Sequence, residues 1–335
     1  MRHVRLIFLP LVVFSLVACG RAPLHHQESF VFGTRVEILI AGSDAGRARP
    51  VVKTILSEFD RLFRTYHAAK SSEPSALNSA TAAGGKRSVT SEAASPLTDA
   101  QRLSVQCDAH FDSAVGERVG MWGGPSDESS ARLSVPAALA NLQADGNRMS
   151  SRKTKVAIDP GNQLNGIALD RAAAILQAHG FNNALINIGG AVMALGTKNG
   201  EHWRVGIKHP RQAGPQATID LYDGEAIGTS GDYQRNFEFN GERYCHLLDP
   251  LSGEPVMHTQ ELTVLVTPRP GAGTLSDAVS KPLFIVGAEW PALAKELDID
   301  HVLRVDAEGR MQVSEKLYHR LKFVGEPPKS LELVP

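Results

Sequence analysis

Cysteine is scarce in this chain, three in 335 residues, which excludes a disulfide scaffold. Aromatic side chains make up only 6%. No long block of like charge occurs, and 35 Lys plus Arg nearly balance 36 Asp plus Glu. An electrostatic footprint for nucleic acid is therefore missing, and no nucleic-acid partner is expected. Also absent are the GxGxxG and GxxxxGK[ST] phosphate loops, the GxSxG elbow and the HExxH zinc pair. Rossmann, P-loop, α/β-hydrolase and zincin readings lose their main support. What remains is 42% hydrophobic residues, enough for a core and contrary to wholesale disorder. At roughly 150 residues per domain, the length fits one large domain or two ordinary ones.

The first residues read as a targeting segment. Arg2 and Arg5 give a positive start, and Leu6 to Val17 forms a nearly unbroken apolar run of 12. A membrane-spanning helix needs about 20 residues, so this run matches a secretory signal instead. It ends Leu16-Val17-Ala18-Cys19-Gly20, which resembles a bacterial lipobox with Cys19 as the acylated residue. The expected organisation is a lipoprotein signal peptide over 1–18, a lipid-anchored linker over 19–28, one catalytic domain over 29–320 and a tail over 321–335. The expected setting is a bacterial membrane, held through the lipid and facing the periplasm, most naturally the inner membrane. Whether Cys107 and Cys245 pair in that oxidising space stays open.

Aromatic and β-branched residues from Ser29 to Ile40 predict a strand pair or one strand bent at Gly33. Val52, Ile55, Leu56, Phe59, Leu62 and Phe63 recur at helical spacing and predict a helix over Val51 to Tyr66. Ala68 to Leu97, rich in Ser, Ala, Gly and Thr, reads as a long surface loop with one turn near Ser75 to Ala80. A helix is expected from Thr98 to Gly120, a loop from Gly123 to Pro136, and a weaker helical stretch up to Leu142. Val156 to Gly166 reads as strand then turn, and Ile167 to Ala178 as a helix closed by Gly180. Strands are expected at Asn183–Ile188, Trp203–His209, Glu225–Thr229, Asn236–Phe239, Arg243–Leu248 and Gln260–Thr267, with a helix over Leu275–Val286. Helices and strands mix without a regular βαβ rhythm, which indicates an α+β fold.

Seven clusters hold more Gly, Asp, Asn, Ser and Thr than packing requires: Phe32–Thr34, His110–Ser113, Asp159–Gly166, Asn187–Gly190, Gly228–Tyr233, His246–Gly253 and Ser276–Ala278. Glycines that admit a ligand to the backbone, beside carboxylates and hydroxyls, suit a phosphate-bearing ligand and a metal. Singly, each also reads as an ordinary turn.

Their order says more. FGTRVEI, EFDRLFRTY, SALN, HFDSAVGERVGMWG, AIDPGNQLNGIALDRAA, ALINIGGAV, WRVGIKHP, AIGTSGDYQRNF, HLLDPLSGEPV and LSDAVSKPLFIVG follow one another from Ser29 to about Leu297. In this arrangement the chain resembles the FAD:protein FMN transferases. The resemblance implies mixed sheets and helices in two lobes, with an FAD cleft between them. It implies FAD as substrate and transfer of its FMN half to a Thr or Ser hydroxyl of a periplasmic electron-transfer protein, with AMP released. It implies cofactor contacts at Phe32, Tyr66, His110, Phe111, Asp112, Asp159, Asn165 and Leu248, with Phe32 and Tyr66 offering ring faces for stacking. It further implies Mg²⁺ near the diphosphate, held by the Asn162 carbonyl, Asp277 and an oxygen ligand four residues later.

That last position is Lys281, whose ammonium has no lone pair for a cation. Three arrangements are open: Lys281 turns away and water completes the Mg²⁺ shell, its ammonium takes the metal's place, or FAD binds without being transferred. Asp277 and Lys281 are the candidate catalytic pair. Asn165, where many members carry Lys or Glu, and Ala191, where Asp is usual, are further departures. The competing functions are a non-catalytic FAD-binding lipoprotein and an FAD pyrophosphatase that releases FMN and AMP.

Overall fold

The computed structural model describes residues 23–66, 73–83, 85–111, 142–151, 163–233, 236–239, 242–245, 247–325, 328 and 330–335. Its strands are β1 (Leu24–Val31), β2 (Thr34–Ala41), β3 (Lys86–Ser88), β4 (Leu142–Asp145), β5 (Arg148–Ser151), β6 (Ala184–Ile188), β7 (Ala191–Leu195), β8 (Trp203–Lys208) and β9 (Pro215–Leu221). They continue with β10 (Ala226–Gly231), β11 (Asn236–Phe239), β12 (Glu242–Cys245), β13 (Thr259–Val266), β14 (Val302–Asp306), β15 (Met311–Ser314), β16 (Leu321–Phe323) and β17 (Leu331–Val334). The helices are α1 (Ala45–Tyr66), α2 (Glu73–Ala82), α3 (Ser91–Gln106), α4 (Leu164–Ala178), α5 (Ala272–Val286), α6 (Trp290–Glu296) and α7 (Glu315–Tyr318).

Among the described residues, nine strands form one sheet in the order β1-β2-β6-β7-β10-β13-β14-β15-β17. Neighbours run antiparallel except β15 and β17, which are parallel. Strand periodicity sends alternate residues to opposite faces, and here both faces are covered. Leu262, Val264 and Val266 of β13 join the helix-side core with α1, α4 and α5. Leu265 joins a second core with Trp203, Ile207, Ile219 and Leu221 from the small sheet β16-β9-β8. Every residue of β13 is consequently buried. The Trp203 indole N–H donates to Leu195 O at 3.0 Å and pins the small sheet to the large one. This is the mixed α+β architecture the sequence predicts.

The expected bend at Gly33 is a two-residue hairpin turn, Phe32 (φ 57°) and Gly33 (φ 72°), between β1 and β2. Both positions need positive φ, which suits glycine and strains phenylalanine by about 1 kcal/mol. Helix α1 buries Val51, Val52, Ile55, Phe59, Leu62 and Tyr66 on the expected face.

Four boundaries need correction. Strand β1 starts at Leu24, so residues 24–28, expected as linker, already belong to the sheet. The segment read as a long loop holds α2, β3 and the start of α3. Thr90 caps α3 by accepting from Ala93 N, and Ala93, Ala94, Leu97, Ala100 and Leu103 bury one face. Alanine-rich composition is strongly helix-forming once a cap and a packing partner are supplied. That helix stops at Gln106, and Leu142 opens β4 instead of ending a helix. Residues 321–335 are not a loose tail, since β16 pairs with β9 and β17 with β15. Cys107 and Cys245 are both buried and are not joined in a disulfide, and burial pushes the Cys107 thiol up to about 12. No helix among the described residues is long and apolar enough to cross a membrane.

Candidate active site

Helix α5 presses unusually close to its neighbours, and glycines make that approach possible. A Cβ on Gly228 of β10 would lie 2.1 Å from Ser276 O, and one on Gly166 of α4 would lie 2.5 Å from Gly273 O. Asp170 of α4 fastens the start of α5 by accepting from Gly273 N and Thr274 N, each at 2.9 Å, and from Thr274 Oγ1 at 2.6 Å. Ser230 and Ser280 share a hydrogen bond of 2.8 Å, which joins the end of β10 to the middle of α5.

Asp277 and Lys281 lie at this junction. Gly166 N donates to Asp277 Oδ2 at 2.9 Å, and Lys281 Nζ donates to Asp277 Oδ1 at 2.6 Å and to Asp277 O at 2.8 Å. Their side chains are 12% and 15% exposed. The four-residue spacing places both on one helix face. Lys281 therefore does not turn away from Asp277. Both carboxylate oxygens are engaged, one by a cation, so the described donors fit an ammonium and not a divalent metal at Asp277. Of the expected Mg²⁺ ligands, Asp277 is thus held by Lys281, and Asn162 lies outside the described residues. Asn165, in the first turn of α4 beside Gly166, is partly exposed here.

A second group forms where α3 ends. Asp108 (φ 45°) and Ala109 (φ 67°) are consecutive left-handed residues, a strained turn of the kind that collects at functional sites. They deliver His110, whose Nδ1 lies 3.8 Å from Asp249 Oδ1. Burial raises the Asp249 carboxyl, but His110, Leu251 N–H and Ser252 outweigh it and hold it down at about 2. Phe111 and Leu248 are both buried, 2% and 4% exposed.

A third group unites two sequence clusters. Gly189 has φ 60°, and a Cβ there would meet Thr34 Oγ1 at 2.6 Å. Gly189 N also donates to Arg35 O at 3.1 Å, so the Phe32–Thr34 turn and the Asn187–Gly190 turn form one surface.

The aromatic expectations change. Phe32 is 8% exposed and packs on Phe59 and Phe63, at ring-centroid distances of 5.6 and 6.1 Å. Tyr66 is 1% exposed, and its hydroxyl donates to Glu92 O at 2.8 Å. Glu92 lies four residues before Pro96, which has no N–H to offer that carbonyl. Tyr66 thus fills a gap in α3 and offers no ring face for stacking. Asp112, Asp159, Asn162 and Cys19 lie outside the described residues.

Sequence reasoning missed Asp170, the pairing of Ser230 (within the Gly228–Tyr233 cluster) with Ser280, and the turn at Asp108–Ala109. Asp170 had a readable signal, a carboxylate in a helix whose partner helix opens with Gly-Ala-Gly. The strained turn had none.

Comparison with known proteins agrees with this geometry. Residues 32–303 match the model of the ApbE family. The FAD:protein FMN transferase of Rhodobacter capsulatus is 32% identical over 319 residues, 92% of this chain and 60% of that protein. The chain thus spans less than two thirds of that relative's length. The FAD:protein FMN transferase of Vibrio cholerae is 30% identical over 71% of this chain and 75% of its own. The crystal structure of the ApbE protein from Thermotoga maritima superposes with a TM-score of 0.78 at 27% identity, covering 89% of this chain and 99% of that one. A variant of the flavin transferase ApbE from Vibrio cholerae gives 0.76 at 25% identity over 89% of this chain and all of that one. The chain belongs to the ApbE family.

Proposed function

We propose that this chain is an FAD:protein FMN transferase that moves the FMN half of FAD to a Thr or Ser hydroxyl of an acceptor protein and releases AMP. In this step the hydroxyl oxygen bonds to the FMN phosphorus while the bond from that phosphorus to the bridging oxygen breaks. AMP leaves with that oxygen and its electron pair, and the hydroxyl proton passes to solvent or to the departing phosphate. Such chemistry rests on positioning and on charge held against the phosphates. The observation that carries the reading is the Asp277–Lys281 pair at the glycine-lined junction of α4, α5 and β10. It places a fixed cation at a junction where glycines let α5 pack directly on α4 and β10. In the first turn of α4, Gly166 N is held by Asp277, and the Gln163 side chain makes no cap.

The acceptor belongs to the periplasmic electron-transfer proteins, and the enzyme is a lipoprotein held on the periplasmic side of the inner membrane through Cys19. The basic start, the 12-residue apolar run and Leu16-Val17-Ala18-Cys19 support this setting. Two or more acyl chains would hold it firmly. The buried, protonated Cys107 thiol is compatible with an oxidising space.

The test incubates the protein with FAD and a candidate acceptor, then reads covalent flavin fluorescence on a denaturing gel and AMP in solution. Fluorescence on the acceptor with AMP supports transfer. AMP alone would make the protein a pyrophosphatase, and neither product with FAD bound would make it a carrier.

A further inference from the structure

Resting on the reading of this junction as an FAD transferase site, we propose that the Lys281 ammonium is the resident cation of the site, so that FAD binding and FMN transfer proceed without a divalent metal. The ammonium is fixed at two points. Nζ donates to the side chain of Asp277 at 2.6 Å and to its main-chain oxygen at 2.8 Å, which curls the lysine back along its own helix. Two of its three protons are committed, and one remains for a phosphate oxygen. Asp277 O also accepts from Ser280 Oγ at 2.9 Å, and Ser280 is tied to Ser230 at 2.8 Å. The cation is therefore braced by β10 as well as by α5.

The same contacts set an ammonium against the carboxylate where a dication would otherwise bind. One oxygen of the carboxylate carries the ammonium and the other accepts the Gly166 N–H. A divalent ion on Asp277 would have to sit against a positive charge in a setting where both side chains are shielded from water, and shielding strengthens repulsion as much as attraction. Because ammonium and carboxylate cancel, Lys281 acts as an aimed hydrogen-bond donor more than as net charge.

The experiment uses the full chain, stripped with EDTA and desalted, with and without added Mg²⁺. FAD affinity is read by flavin fluorescence, FMN transfer by covalent flavin, and metal binding by the free Mn²⁺ signal in electron paramagnetic resonance. The wild-type protein should change affinity and rate by no more than about twofold on chelation, and it should leave the free Mn²⁺ signal unaltered. Lys281→Thr should lose about tenfold or more of both in EDTA, recover with Mg²⁺ and bind Mn²⁺. Lys281→Arg keeps a cation, and it should stay indifferent to chelation if the threonine variant does not fold. A wild-type protein that stops transferring in EDTA, recovers with Mg²⁺ and binds Mn²⁺ overturns the inference while leaving the transferase reading intact. A wild-type protein that neither binds FAD nor transfers FMN in any metal condition overturns both.

Discussion

Tyr66 and Pro96 lie 30 positions apart and are coupled through one carbonyl. Pro96 falls in the sixth position of α3, so Glu92 O lacks its helical donor four residues on. The Tyr66 hydroxyl supplies that donor at 2.8 Å from a ring that is 1% exposed. Tyr66→Phe should therefore leave a partly buried carbonyl unsatisfied. That costs about 1–2 kcal/mol, the lower part of the range for orphaned polar groups. Pro96→Ala returns an N–H at the right place, so Tyr66→Phe made in that background should cost about 0.5 kcal/mol or less. The coupling of about 1 kcal/mol is read from a four-protein cycle of urea unfolding curves with matched slopes. Equal losses in the two backgrounds would refute the assignment. FAD affinity of Tyr66→Phe should match the wild-type value, and a tenfold weakening would return Tyr66 to the ligand.

Gly166→Ala puts a methyl group 2.5 Å from Gly273 O and 2.7 Å from Thr274 Cα, backbone atoms that can retreat only if α4 and α5 part. A loss of about 1–3 kcal/mol in thermal unfolding is expected, together with weaker FAD binding, because the Asp277 contact moves with the helices. Unchanged stability would mean that the two helices are not so tightly apposed. Glu261 is fully buried, and burial raises its carboxyl from the usual 4.5 to about 8 despite hydrogen bonds from Thr263, Tyr233 and Gln216. The folded chain keeps a proton that the unfolded chain releases, so this contribution is complete below pH 4.5 and lost as pH climbs towards 8. The slope is at most about 1.4 kcal/mol per pH unit. Glu261→Gln should thus gain stability relative to wild type between pH 5 and 8, and a gap that stays constant across melting curves in that window would contradict it.

The parts of the fold that were legible were those whose pattern is local. The helix ending at Tyr66, the strands around Asn187 and Gln260, and the helix after Leu275 carry a clear period of hydrophobic residues and sit close to their expected bounds. The region from Glu73 to Leu97 misled because small residues with two prolines look like a loop. Its helices exist through the Thr90 cap, the Glu73 carboxylate that holds Thr90 N and Oγ1, and a buried alanine face that only tertiary packing reveals. Strands β14, β15 and β17 were missed for a related reason, since among the described residues β17 pairs with β15, far from it in local pattern. At the site, the Asp277–Lys281 pair was legible through the family resemblance, which marks Asp277 and the position four residues later. The roles of Phe32 and Tyr66 were not, because burial and a hydrogen bond to a proline-vacated carbonyl leave no trace in the order of residues.

The most direct test of the central claim is intact and peptide mass spectrometry of an acceptor protein after incubation with this chain and FAD. The account predicts a mass gain of one FMN less one water on a single Thr or Ser, with one AMP released per modified acceptor. An acceptor of unchanged mass, recovered beside enzyme saturated with FAD, would contradict it.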